Sequence, residues 1–290
     1  MPRIALGIVG LIVLLAGGSP SLAQLVIDRS KPAPYPMPPK IEVEEEENKP
    51  KEPPRYSGET TEIPAECDPA RLSALGLPCS AASPCEMSLE LTAAGEAGEA
   101  VIAIGDLYSP SATIASVVLR SDDGGASWTE AHERITGAAL DELHFSGEEN
   151  AWIVGRENIG GGQRPFLLAS DDGGKSWRLR PIDEDEDFRG SVLQLRFDSP
   201  EHGFLILEKP TQKGDPYELR ESFNGGRSWS LRQVTAERPA LPGSRRRTPE
   251  PSVRVSEPAA DNLFLVERRE AGEWRTLGRF SAKAGVCGGQ

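Results

Sequence analysis

Apolar residues in this chain recur as short runs bounded by turn residues, not at helical spacing. Val101-Ile102-Ala103-Ile104-Gly105, Ala151-Trp152-Ile153-Val154-Gly155 and Gly203-Phe204-Leu205-Ile206-Leu207 match one another by type. A small or apolar residue at every position predicts strands buried on both faces, as between adjacent sheets. Each run is followed by a second apolar or β-branched run, at Ile114 to Leu119, Phe166 to Ala169 and Tyr217 to Arg220. A polar octapeptide with paired glycines and a closing Trp comes next each time. Trp128, Trp177, Trp229 and Trp274 fall at intervals of 49, 52 and 45 residues. Self-similarity at about 40–50 residues is the period of a four-stranded propeller blade.

The pattern predicts three full blades. Blade 1 has strands near Met87–Leu91, Ala100–Gly105, Ile114–Arg120 and Ser127–Ala131. Blade 2 has Glu142–Phe145, Ala151–Val154, Phe166–Ala169 and Ser176–Arg180. Blade 3 has Val192–Phe197, Gly203–Leu207, Glu218–Glu221 and Ser228–Gln233. A fourth, degenerate unit offers Val253–Val255 and Asn262–Val266, then Gly272 and Trp274 without the Ser and Asp of the octapeptide. The expected fold is all-β: a small propeller of about four blades, as a closed ring or as an open arc that self-associates to cover its free edges.

The octapeptide is a strand–loop–strand signal. Its copies are Ser121-Asp122-Asp123-Gly124-Gly125-Ala126-Ser127-Trp128, Ser170-Asp171-Asp172-Gly173-Gly174-Lys175-Ser176-Trp177 and Ser222-Phe223-Asn224-Gly225-Gly226-Arg227-Ser228-Trp229. Asp or Asn before Gly-Gly favours a hairpin whose centre needs positive φ. Asp123, Asp172 and Asn224 can accept hydrogen bonds from loop N–H groups, and Ser121, Ser170 and Ser222 can do the same. The Trp ring can cover the turn, and its indole N–H can seek a carbonyl. Asp123 and Asp172 are therefore expected to be structural, not catalytic.

The pattern Ser-x-Asp-x-Gly-x-Ser-Trp resembles the Asp-box, or bacterial neuraminidase repeat. Two copies match at every defining position, and the third has Asn224 for Asp. The resemblance covers residues 85–283 and implies that each box links the third and fourth strands of a blade. The family includes sialidases, sortilin-type receptors and photosystem II assembly and stability factors, and the phrasing here looks most like the last group. That likeness implies action by partner binding.

Outside the repeats, residues 1–23 read as a secretory signal peptide. Arg3 is followed by an apolar core from Ile4 to Ala16, and Ser21-Leu22-Ala23 precedes the cleavage point. The apolar run is too short for a retained membrane anchor. Residues 24–66, rich in Pro and carrying Glu44 to Glu47, read as a disordered linker. Residues 67–84 form a cysteine-bearing segment in which Asp68 caps a short helix with Pro69 at its first position. Residues 85–290 are the propeller. Cys67, Cys79, Cys85 and Cys287 suit an exported, periplasmic or extracellular protein with two disulfides. Four cysteines allow three connectivities. Cys67 and Cys79 would flank the helix as a staple, and a Cys85–Cys287 bridge would close the ring.

The net charge of −13 argues against nucleic-acid binding and against attachment to anionic membranes. Asp183 to Asp187 echoes a calcium loop but has Phe188 where the Gly is needed, so an acidic loop is expected. Arg245-Arg246-Arg247 reads as a solvated insert. His132, His144 and His202 are scattered, no Gly-x-Ser-x-Gly elbow appears, and Tyr108 and Tyr217 have no evident acidic partner. No catalytic residue, metal or cofactor is expected. The reading is an exported, non-enzymatic propeller that binds a protein partner as a scaffold or assembly factor; the alternative is a carbohydrate-binding or sialidase-like protein.

Overall fold

The computed structural model describes residues 56–287, apart from 66–67, 78, 80–82, 160–161, 186–187, 212–213, 244–249, 258–262 and 283–285. The expected signal peptide, residues 24–55 of the expected linker, Cys67, Glu186, Asp187 and the triplet Arg245 to Arg247 lie outside the described residues. The chain is nearly all strand and forms a small β-propeller of four four-stranded sheets.

The chain begins with β1 (Thr60–Ile63), helix α1 (Pro69–Ala74) and β2 (Cys85–Glu86). Blade 1 is β3 (Ser88–Ala97), β4 (Ala100–Ser109), β5 (Ala112–Ser121) and β6 (Thr129–Glu130). Blade 2 is β7 (Ala138–Ser146), β8 (Asn150–Ile159), β9 (Gly162–Ser170) and β10 (Arg178–Arg180). Blade 3 is β11 (Ser191–Phe197), β12 (Gly203–Glu208), β13 (Tyr217–Ser222) and β14 (Ser230–Thr235). Each of these three is an antiparallel meander in chain order. Their second strands are buried at every residue of the apolar runs, because sheets pack on both sides of them.

Blade 4 is built differently. β15 (Val253–Ser256), β16 (Phe264–Glu270) and β17 (Glu273–Ala282) form a meander, and its outer strand is β1, paired parallel to β17 with Ile63 opposite Ala282. The linker expected to end at residue 66 therefore contains a strand. Thr60, Thr61 and Ile63 are β-branched and suit an extended edge, and Ile63 is buried in the core between blades 4 and 1. A last pairing, β18 (Val286–Cys287) with β2, sets Cys287 opposite Cys85.

The disulfide in this region joins Cys79 to Cys85, with Cα atoms 5.3 Å apart. It corrects both the Cys67–Cys79 staple and the Cys85–Cys287 closure. Asp68 caps α1 by accepting from the Ala70 amide at 2.8 Å. Leu72 and Leu77 anchor the segment in the core, where Cys79 and Cys85 pack side by side. The helix thus folds Cys79 back towards β2.

Three cores hold the blades together. One joins blade 4 to blade 1 through Phe280, Leu277, Val266, Leu89 and Val101. The next joins blade 1 to blade 2 through Ile102, Ile104, Ile153 and Leu168. The third joins blade 2 to blade 3 through Trp152, Leu167, Leu205 and Phe197. Among the described residues no apolar cluster joins blade 3 to blade 4. The order around the propeller is thus 4–1–2–3, with the last blade in sequence set before the first. The outer face of blade 3, at Phe204, Ile206 and Leu219, is covered by Leu241 from the connection to blade 4.

No helix among the described residues is long and apolar enough to cross a membrane.

Candidate functional site

The three octapeptides sit at equivalent turns, between β5 and β6, β9 and β10, and β13 and β14. In the first, the Ser121 hydroxyl accepts from the Gly125 amide at 2.8 Å and donates to Asp123 at 2.8 Å. Asp123 also accepts from the amide and hydroxyl of Ser127, at 2.9 and 2.6 Å. Ser170, Asp172, Gly174 and Ser176 repeat this network. In the third copy Asn224 accepts from the Ser228 amide at 3.0 Å and donates its own amide to the Ser228 hydroxyl at 2.8 Å. The amide thus serves both roles by turning one bond around. Partial burial works against the charge on Asp172, but the bonds from Ser176, Ser170 and the Lys175 amide outweigh it and hold the carboxyl at about 2. These side chains are spent inside their own loops.

The second glycine of each copy meets the preceding blade. A Cβ on Gly174 would come within 2.3 Å of Ile102 in blade 1, and one on Gly226 within 2.8 Å of Leu167 in blade 2. Donors on the receiving blade complete the seam. Arg120 donates to the Gly173 carbonyl, and the Trp152 indole donates to the Gly225 carbonyl at 3.1 Å. The octapeptide Trp residues diverge. Trp128 donates to the carbonyls of Gly125 and Leu277, each at 3.2 Å, whereas the indole nitrogens of Trp177 and Trp229 are buried without a hydrogen-bond partner.

The loops leave clefts above the seams, and the clefts differ in charge. Above blades 1 and 2 a space of about 520 Å³ is lined by Glu99, Asp122, Glu148, Glu149 and Asp171, with Arg120 and Lys175. Above blades 2 and 3 a space of about 280 Å³ has Arg180 and Arg227 on its walls, with Asn150, Glu201 and Phe223. Its floor is Trp152, held by its bond to Gly225. Asp171 lines this cleft too but is engaged by Arg178 at 2.7 Å. Arg180 has no such partner: its Nε is buried without a hydrogen bond. Desolvation and the like charges of Arg227 and Arg178 depress its pKa, opposed by Asp171.

Phe223 stands at the lip, 62% exposed, with its ring stacked on His202 at 5.0 Å. His202 is in turn bound to Glu221 at 2.8 Å, and Glu221 to Arg232 at 2.7 Å. The ring is therefore fixed although solvent covers it. Further down the same side, Leu231 and Val234 are 55% and 46% exposed on β14. A bulge at Arg232 sets both on the face shared with Arg220 and Glu218, towards blade 2. On β10, Leu179 is 66% exposed beside a second cleft of about 430 Å³, lined by Pro165, Phe166, Ile182 and Phe188, with Arg180 forming a wall of both.

Apart from His202 and Phe188, the sequence singles out none of these residues except as part of a repeat. One signal was readable: Phe223 and Arg227 occupy positions that are Asp122 and Ala126 in the first copy and Asp171 and Lys175 in the second. The acidic run enters the structure as a support. Asp183 accepts from the Asp185 amide at 2.9 Å and from Arg220 at 2.5 Å, beside the second cleft. Among the described residues no group of His, Cys, Asp and Glu is placed to hold a metal ion.

No protein-family model and no curated protein matches the chain. Among solved structures it is similar to YCF48 bound to a D1 peptide, at 18% identity over 69% of this chain and 54% of that one, with a TM-score of 0.35. It is similar to a PL25 ulvan lyase at 11% identity, over 72% of this chain and 54% of that one, with a TM-score of 0.39. A third is the GH93 α-L-arabinofuranosidase of Fusarium graminearum in complex with arabinobiose, at 14% identity over 65% and 60%, with a TM-score of 0.34. The chain spans about half the length of the first two. All three are β-propeller proteins, and the likeness is one of fold.

Proposed function

We propose that this protein is an exported, non-enzymatic binding scaffold of the assembly-factor kind, and that the rim of blades 2 and 3 takes up a segment of a protein partner. The observation that carries the reading is the cleft above that seam. Two guanidinium groups, Arg180 and Arg227, face one space without a carboxylate of their own, next to a solvent-exposed aromatic ring braced from behind. Arginine and aromatic residues are enriched at protein interfaces. All four exposed large apolar side chains among the described residues, Leu179, Phe223, Leu231 and Val234, belong to blades 2 and 3. The octapeptide resemblance to photosystem assembly factors supports a mode of action and names no partner.

A carbohydrate ligand could use the same Phe223 platform, but the acids available for glycoside chemistry are Asp171, bound to Arg178, and Glu201. Affinity capture from the native envelope fraction tests the proposal, with the Arg180→Glu/Arg227→Glu variant run beside the unaltered protein. A defined partner retained by the unaltered protein and lost by the variant supports it. Turnover of a glycoside that is abolished by Glu201→Gln overturns it, as does a partner held equally by both forms.

A further inference from the structure

The outer strands of the four blades are unequal. β6 has two residues, β10 three and β1 four, whereas β14 has six. β14 is also bare. Ser230 to Val234 are exposed, and among the described residues no strand pairs with its outer side. An edge of this length offers a row of backbone N–H and C=O groups to another strand. The side chains divide by face. Leu231 pairs with Arg220 and Val234 with Glu218, so both stand on the side of blade 2, where the short β10 leaves them uncovered. Arg232 is the extra residue of the bulge and turns to the opposite face, where its Nε binds Glu221 at 2.7 Å. It is the only charged residue on the strand.

We propose that β14 is a self-pairing edge, by which two copies of this chain join antiparallel about a two-fold axis at Gln233. The bulge makes Leu231 and Arg232 count as one position, which leaves Gln233 at the centre of the strand between Ser230 and Thr235. Leu231 of each copy then faces Val234 of the other, Ser230 faces Thr235, and the two Gln233 residues meet at the axis. Apolar residues meet apolar ones on one face, and polar residues meet polar ones on the other. Cross-strand pairs of this kind are the unit of sheet stabilisation. Without the bulge, Leu231 and Val234 would point to opposite faces, and no register could set one against the other.

Charge points to a second copy as the occupant. The chain carries a net charge of −13, yet β14 has no carboxylate, and each Arg232 brings its own Glu221. Two acidic molecules can therefore meet along this strand without setting unpaired charges against each other. A closed two-fold contact also uses both β14 edges and leaves neither for further growth. The proposal uses Leu231 and Val234 but none of Arg180, Arg227 and Phe223, so it is tested apart from the partner cleft.

Two strands of this length bury less than the ~1,200 Å² of a standard interface, so the pair should be weak and reversible. The test is sedimentation equilibrium of the full chain between about 1 and about 500 μM, at about 0.15 M salt to screen the repulsion between copies. The mass should rise from one chain towards two and stop there. Leu231→Lys and Val234→Glu, both at exposed positions, should each weaken the pairing at least about tenfold, since each sets a charge against an apolar side chain. An equimolar mixture of the two variants should regain it, because in the proposed register the introduced charges face each other and are opposite in sign. An unaltered protein that stays monomeric throughout the range overturns the proposal. So does a dimer that neither substitution weakens, a mass that climbs past two chains, or a mixture that pairs no better than its components.

Discussion

Gly125 in the first octapeptide lies against Leu277 in the last blade, so close that a Cβ on the glycine would sit 2.4 Å from the Leu277 carbonyl oxygen. This contact shows that blade 4 receives the loop of blade 1 just as blade 1 receives that of blade 2. Gly125→Ala should cost about 3 kcal/mol, because it combines overpacking against backbone with a residue held at positive φ. The control is Gly272→Ala, at the turn of blade 4, where nothing lies within 4 Å. Only the backbone term of about 1 kcal/mol applies there. Denaturant midpoints of the two variants should separate accordingly; equal losses would contradict the docking geometry.

Trp177 is buried in the core shared by blades 1 and 2, and its ring also lies beside Gly174. Trp177→Ala should cost about 3–5 kcal/mol. An unchanged thermal midpoint would show that the ring contributes nothing to the seam.

Asp172 is held at about 2, below its ordinary value of 3.8, so its ionised form stabilises the fold. That contribution is present above about pH 4 and is lost as pH falls towards about 2. Asp172→Asn, which copies the third octapeptide, should lower the thermal midpoint at neutral pH. The gap to the unaltered protein should close as acid is added. A gap that widens on acidification would reverse the sign of the argument.

With Cys79 and Cys85 joined, the expected second disulfide is between Cys67 and Cys287. Peptide mapping of the non-reduced protein should recover those two linkages. A Cys85–Cys287 peptide in quantity would contradict the structure.

Ile63 on β1 is buried where blades 4 and 1 meet, and Arg134 of blade 1 donates to the neighbouring Pro64 carbonyl at 2.6 Å. Ile63→Ala should cost about 2–4 kcal/mol. A chain starting at residue 66 should unfold blade 4 ahead of blades 2 and 3, read by hydrogen exchange in β16 and β17. Unaltered protection in those strands would show that blade 4 stands without β1.

The repeats made the three meanders legible because each blade carries its own strands, its own turn and its own Gly-Gly signal within one period. Val101 to Gly105 and its two counterparts could be assigned to buried second strands from composition alone. What the pattern did not carry was pairing at a distance. Thr60 to Ile63 is four residues among prolines and acids, and only its partner on β17, more than two hundred residues later, makes it a strand. The fourth unit reads as degenerate for a physical reason. Gly272 and Trp274 lie at the turn from its second strand, β16, to its third, β17, not from third to fourth as in the octapeptides. Its fourth strand is β1, from the other end of the sequence, so no third-to-fourth hairpin exists there to be shaped. The cleft at blades 2 and 3 escaped for a related reason: Arg180 lies on β10 of blade 2, whereas Phe223 and Arg227 lie in the β13–β14 turn of blade 3. The bulge that turns Leu231 and Val234 to one side is a matter of register, which composition does not encode.

The parallel pairing of β1 with β17 also orders events in time. As the polypeptide emerges from N- to C-terminus, blades 1, 2 and 3 can each form from contiguous chain, whereas the earliest strand must wait, unpaired, for the latest blade. Loop closure over nearly the whole length is slow compared with hairpin formation. The seam of blades 4 and 1 should therefore be the final joint to set, with the β3 face at Leu89 and Leu91 uncovered until blade 4 arrives.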